Sequence, residues 1–172
     1  MNVSLTRRAF FKGRLTSSPT SPIRPPWAVS EEVFLETCST CDKCISACEQ
    51  NLIERGDGGY PQVNFKAGAC TFCQACVSAC PDGALVINDT DTDTAPWHIT
   101  ATISSDCLSA QGITCRICGD LCDVQAIRFK LAVGGVANPT VDAVACSGCG
   151  ACVQSCPSQS ITMSPKTIGA TA

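Results

Sequence analysis

Sixteen cysteines fall without remainder into four sets: Cys38, Cys41, Cys44 and Cys48; Cys70, Cys73, Cys76 and Cys80; Cys107, Cys115, Cys118 and Cys122; Cys146, Cys149, Cys152 and Cys156. Three of the sets are spaced C-x2-C-x2-C-x3-C. Two-residue gaps let a tight loop aim successive sulfurs inward. Three such thiolates wrap three corners of a [4Fe-4S] cube, while the fourth cysteine reaches the other cube of a pair. Small or turn-tolerant residues between the sulfurs, as in CSGCGAC at Cys146–Cys152, let backbone N–H groups approach cluster sulfur. Beyond the third cysteine, CVSAC and CVQSC allow a helical turn, on which residues four apart share a face.

Other chemistries of cysteine fit less well. Disulfides call for an oxidising compartment and longer, irregular spacings. Zinc calls for two C-x2-C pairs separated by a longer loop, whereas here a third cysteine follows at once. Four [4Fe-4S] clusters are therefore expected. The third set departs from the pattern, because Cys107 lies eight residues before Cys115 and the intervening loop must fold back to bring its sulfur to a shared cube. The alternatives there are a structural Cys107 beside a cluster with one non-cysteine ligand, or a three-iron cluster. That third cluster is expected to be the most labile.

The second cysteines of the sets stand 32, 42 and 34 residues apart, which reads as two similar halves with a longer join. Proline follows the last cysteine of sets two and four (Pro81, Pro157) but not of sets one and three (Glu49, Asp123), so the alternation has the period of a half. Hairpins are expected within the halves, around the glycines of NLIERGDGGYPQVNF and around Gly134 and Gly135. Further strands are expected at Ala84–Ile87, in WHITATIS and at Ser160–Met163, with the acidic Asn88–Ala95 as the join. The fold class is α+β: tandem bacterial ferredoxin-like modules, two 2[4Fe-4S] units, at 27–90 and 91–166, behind a disordered basic arm at 1–26 and before a tail at 167–172. Sequential pairing gives ligand groups Cys38, Cys41, Cys44 with Cys80; Cys70, Cys73, Cys76 with Cys48; Cys107, Cys115, Cys118 with Cys156; and Cys146, Cys149, Cys152 with Cys122. A nested pairing, set one with four and two with three, is also open, since ALVI and HITATI could form a hairpin around the acidic turn.

Composition fits a fold held by metal. Leu, Ile, Val and Phe supply 37 of 172 residues, a thin apolar core. No stretch approaches the roughly 18 apolar residues of a membrane helix, which predicts a soluble protein without a membrane span. The first 26 residues carry +5 and no acid, leaving −8 for the remainder of a chain whose formal total is −3. Four oxidised clusters at roughly −2 each would bring the total to about −11, a charge that repels nucleic acid and suits a basic docking face. The TRRAFFKGR segment resembles the opening of a twin-arginine export signal, but only AFF separates Arg8 from Lys12, and no apolar stretch of about 7 to 15 residues follows. It is expected not to direct export. Either it is a solvated, disordered arm, or Arg7, Arg8, Phe10 and Phe11 form a short amphipathic handle for a partner.

These pieces together resemble the NapF family, the ferredoxin-type accessory proteins of the periplasmic nitrate reductase system. The resemblance runs from RRAFF and PPW (Pro25–Trp27) through GDGGYP, CTFC, PW (Pro96–Trp97) and CRIC to CSGCGACVQSCP. It implies a cytoplasmic protein acting on the molybdenum-containing catalytic subunit before export, by supplying or installing its [4Fe-4S] cluster. What it carries over by residue is confined to the sixteen cysteines, with Cys107 the least secure.

His98, the single histidine, is read as lining or capping a strand rather than ligating metal. Trp27 and Trp97, each after a proline and ahead of a half's first cysteine, are read as packing anchors. No nucleophile with a base, phosphate loop or carboxylate dyad is present, so the chemistry belongs to clusters and the chain is not expected to be an enzyme. Two functions remain, a maturation factor for a reductase and a polyferredoxin electron carrier. A regulatory oxygen or iron sensor is weaker, because four centres exceed what sensing requires.

Overall fold

The computed structural model describes residues 22–87, 96–131 and 137–166. The arm through Ser21, the acidic join, the Gly134–Gly135 turn and the tail lie outside those residues.

Helix α1 (Glu31–Thr37) carries Glu31 and Glu32 in its first turn, where carboxylates complement the helix dipole, and fully buries Phe34. It ends by delivering Cys38, whose N–H donates to the Phe34 carbonyl at 2.9 Å. The sequence reading did not anticipate this helix, although Ser30 before Glu31 and Glu32 is an N-terminal signal. Each cysteine set then contributes one helical turn holding its third cysteine: α2 (Lys43–Ser46), α3 (Ala75–Ser78), α4 (Ile117–Asp120) and α5 (Ala151–Gln154). Single turns are not stable by themselves, since helix nucleation is costly. They persist because α2 packs on α3 and α4 on α5.

Strands β1 (Ile53–Arg55) and β2 (Pro61–Val63) form an antiparallel hairpin around Asp57–Gly59, where Gly58 and Gly59 take φ of 67° and 82°. Strand β3 (Ile99–Ile103) pairs antiparallel with the last strand, β6 (Ile161–Pro165), placing Ile103 opposite Ile161. Between them β4 (Ile127–Leu131) and β5 (Ala137–Val141) form the second hairpin, with Ile127 opposite Val141. The first half follows the same plan in reduced form. Ala28 bridges Leu85, with Val29 N–H donating to Ala84 at 3.1 Å and Val86 N–H to Trp27 at 2.9 Å. The strand expected at Ala84–Ile87 is thus a single bridge. ALVI and HITATI do not pair with each other, because each turns back to its own half: Leu85 packs with Phe34 and Ile53, and Ala101 with Ile127 and Ile161.

Those two cores are small, and each contains sulfur from two sets, Cys44 with Cys76 in one and Cys118 with Cys152 in the other. A third cluster of Leu52, Phe65, Trp97 and Ile99 joins the halves. There Trp97 meets the edges of Phe65 and Phe72, at centroid distances of 5.5 and 6.4 Å. Two backbone bonds cross with it, Trp27 N–H to the Pro96 carbonyl and Cys70 N–H to the Cys149 carbonyl, both 2.8 Å. Residues 22–26, read from the sequence as the end of the arm, are packed into this body. Pro25 and Pro26 are fully buried, and the Ile23 carbonyl accepts from Val63 N–H at 2.8 Å. Arg24 pairs with Glu31 through two nitrogens, at 2.8 and 2.9 Å, and lies over the Phe34 ring.

Candidate iron–sulfur sites

The loops that present the sulfurs repeat in backbone conformation more closely than in sequence. On either side of the second cysteine, sets one, two and four each place a residue in the left-handed region: Thr40 and Asp42, Phe72 and Gln74, Gly148 and Gly150, with φ between 56° and 81°. The bends carry a conformational cost that non-glycine residues bear in sets one and two. The glycines of the fourth set also answer a second demand. A Cβ on Gly148 would stand 2.5 Å from Trp97 Nε1, and one on Gly150 would overlap the Phe65 ring. They admit the aromatic side chains that join the halves, a role beyond the cluster approach expected from sequence. A further left-handed residue recurs three places past every last cysteine, at Asn51, Gly83, Gln125 and Gln159, and turns the chain back toward the core.

The two sets of each half meet: Cys44 and Cys76 share one core, Cys118 and Cys152 the other. Ser39, next to Cys38, donates to the Asp82 carboxylate just beyond Cys80. Burial, then the neighbouring Cys38, with smaller effects from Cys76 and Cys80, pushes the Cys44 thiol up to about 11. In set two, Cys70 and Cys76 are each pushed up to about 11 by burial first, with Cys48 among the thiols whose charge adds to it. Cys152 rises to about 12, through burial, then Cys149 and Cys146, then Cys118 and Cys122. Cys44 and Cys152 thus feel both the third and the fourth thiols of the other set in their half, and Cys70 and Cys76 feel Cys48.

The stretched third set folds back as its spacing requires. Gln111 N–H donates to the Cys107 carbonyl at 3.0 Å and Ile113 N–H to that of Leu108 at 2.9 Å, closing the loop. Cys107 is buried, and after burial itself its charge is the largest influence raising the Cys118 thiol to about 11. This loop lacks the paired left-handed residues, since Arg116 after Cys115 has φ −137°. Cys156 approaches from the far end of the β3–β6 ladder, where Ser104 N–H donates to the Ser160 carbonyl at 2.8 Å. Burial pushes the Cys156 thiol up, but hydrogen bonds from Ser160 and Ser158 outweigh it and bring the thiol below its ordinary value. Cys41, exposed, is also lowered, by the Lys43 backbone N–H and then Ser39.

All sixteen thiols are free. Among the described residues no three Cys, His, Asp or Glu side chains converge on one ion site, and thiolates that each take a separate corner of a cube need not do so. The donor chemistry suits iron–sulfur cubes. Crowded buried sulfurs repel one another as thiolates, and cations between them would relieve that repulsion. Backbone N–H groups already reach sulfur, from Phe72 to Cys70 at 3.4 Å and from Ala126 to Cys122 at 3.2 Å. Trp97 Nε1 is buried over the fourth loop without a partner. His98 is exposed at the start of β3, where its carbonyl accepts from Lys166 N–H at 2.7 Å. Sequence reasoning passed over Phe65, Ser158 and Ser160. Only the fourfold alignment of the sets, which puts Ser160 where the others have Leu52, Ala84 and Ala126, could have singled out that serine.

Comparison with known proteins agrees with the site. The 4Fe-4S dicluster domain matches twice, at residues 37–84 and 112–160, and Cys107 lies outside the second match. The ferredoxin-type protein NapF of Haemophilus influenzae is 45% identical over 169 residues, covering 93% of this chain and 94% of that protein. NapF of Escherichia coli K12 is 42% identical over 162 residues, covering 94% and 96%. The methylamine utilization ferredoxin-type protein MauM of Methylophilus methylotrophus is 31% identical over 164 residues, covering 86% and 73%.

Proposed function

The chain belongs to the NapF family of ferredoxin-type iron–sulfur proteins, and from that premise we propose that it is a cytoplasmic accessory protein maturing the molybdenum-containing catalytic subunit of periplasmic nitrate reductase, to which it supplies a [4Fe-4S] cluster before export. Four clusters would be held by Cys38, Cys41, Cys44 and Cys80; Cys70, Cys73, Cys76 and Cys48; Cys107, Cys115, Cys118 and Cys156; and Cys146, Cys149, Cys152 and Cys122. The proximity of Cys44 to Cys80, of Cys70 and Cys76 to Cys48, and of Cys152 to Cys122 supports the crossing. When bound, each cluster would supply a one-electron couple.

One observation favours supply: the second cysteines of sets one and two, Cys41 and Cys73, are exposed. Their sulfurs are the corners that an acceptor's thiols reach first, and the thiolate character of Cys41 is raised by the Lys43 N–H and Ser39. An acidic body also suits a basic face on the acceptor. Anaerobic mixing of iron-labelled protein with cluster-free catalytic subunit should move label to the subunit. Electrons passing repeatedly while all label stays behind would overturn this reading.

The second reading, an electron carrier, is favoured by a different contact. Cys70 N–H donates to the Cys149 carbonyl at 2.8 Å, so the second and fourth loops touch across the halves. That contact suits a continuous path through the molecule, and the same labelling experiment decides between the two.

A further inference from the structure

The slot four residues past the last cysteine of each set is occupied by Leu52, Ala84, Ala126 and Ser160. In the first three sets the side chain is apolar, with 1%, 1% and 0% of the residue exposed. Ser160 is 5% exposed in the same place. A hydroxyl in an apolar slot is destabilising unless it is hydrogen-bonded, and this one has two neighbours. Its Oγ is 3.4 Å from Cys156 Sγ and 3.0 Å from Ser158 Oγ, and Ser158 Oγ is itself 3.6 Å from the sulfur.

Proton accounting fixes the direction of these bonds. A cysteine that ligates iron is a thiolate with no proton to give, so at Cys156 the sulfur accepts. Ser158 spends its single proton on Ser160 across the shorter gap, which leaves the Ser160 proton for the sulfur. Each bond in such a chain polarises the next. Ser39 also lies beside a cysteine sulfur, that of Cys41, but its proton goes to the Asp82 carboxylate.

We propose that Ser160, oriented by Ser158, donates a hydrogen bond to the Cys156 thiolate and raises the reduction potential of the cluster that Cys156 completes, the one gripped by Cys107, Cys115 and Cys118. The address rests on the crossed ligation proposed above. Reduction adds one electron from an external one-electron donor and breaks no bond. The added negative charge spreads onto the ligating sulfurs, so a donor there stabilises the reduced form more than the oxidised form. Ser160 is thus a positioning and tuning residue for the least regular of the four sites.

The test is an EPR-monitored potentiometric titration of the full chain loaded anaerobically, with dithionite as reductant and Cys115→Ser used to identify the third cluster's signal. Ser160→Ala should shift that cluster's midpoint to a more negative value and leave the other three in place. Ser160→Thr, which keeps the hydroxyl, should restore it. Ser158→Ala should give a smaller shift in the same direction. Alanine already fills this slot in sets two and three, so the variant is expected to fold and load iron as the parent does, and the Thr and Ser158 variants give the same reading should it not. Unchanged midpoints in all the variants would overturn the hydroxyl role. A shift in the cluster of Cys146, Cys149 and Cys152 instead would overturn the crossed ligation and leave the hydrogen bond standing.

Discussion

At the scale of single residues, the thiols are not equivalent. Cys44, Cys70, Cys76 and Cys118 are raised to about 11 and Cys152 to about 12, in each case by burial first. The ordinary thiol value is 9.0. Between pH 9 and 11 the unfolded chain has therefore released these protons while the folded, metal-free chain keeps them. The metal-free fold loses stability as pH rises through that window. Iron acts in the opposite sense, because a ligating thiolate must be unprotonated and uptake expels the proton. Beyond the one proton that each HS⁻ gives up on becoming cluster sulfide, anaerobic loading with iron and sulfide should release close to one proton per ligating cysteine at pH 8, and at pH 10 the excess from the five raised thiols should persist after ordinary thiols have ceased to contribute. A pH-stat records both, and a release at pH 10 no larger than the sulfide's own would mean the buried thiols titrate normally.

At the scale of elements, one short loop has been fitted to two tasks. The left-handed positions around the second cysteine are met by Thr40, Asp42, Phe72 and Gln74 in the first half and by glycine in the fourth set, where Phe65 and Trp97 fill the Cβ positions. Gly150→Ala should therefore combine backbone strain with overpacking against Phe65, about 2 to 4 kcal/mol together. Gly83→Ala is the control. It has the same left-handed conformation, φ 70°, but nothing within 4 Å of its Cβ, so only the strain of about 1 kcal/mol applies. Thermal midpoints of the loaded proteins, measured anaerobically, should fall clearly further for Gly150→Ala than for Gly83→Ala. Equal falls would mean that the aromatic junction does not constrain the loop.

At the scale of the whole molecule, the apolar contribution is divided among three small clusters, two of which contain cysteine sulfur. Four of the five described helices are single turns, and the strands run three to five residues. Elements this short contribute little stability alone, so the cooperativity of the fold is expected to come mostly from cluster binding by the cysteine sets. Removing iron with a chelator under anaerobic conditions should abolish the sharp thermal transition and collapse near-ultraviolet dichroism from Trp27 and Trp97. A metal-free chain that kept both would show that the apolar clusters are sufficient.

The iron–sulfur chemistry of this protein was legible in its sequence because spacing is local: a C-x2-C-x2-C run dictates a loop, and three of the four sets carry that run. The β1–β2 hairpin, the strand at WHITATIS and the return strand near Ser160 were readable for the same reason, from alternation and glycine over a few residues. Which sets combine was not, since ALVI and HITATI each carry an apolar face that could have paired with the other. That choice was made by distant partners, Ala28 for Leu85 and β6 for β3, whose cores close only when each half folds on itself. The packing of Pro25 and Pro26, the glycine slots for Phe65 and Trp97, and the serine beside Cys156 likewise exist only once residues far apart in the chain meet. A sulfur's place in its loop is a local property, whereas its neighbours depend on long-range packing.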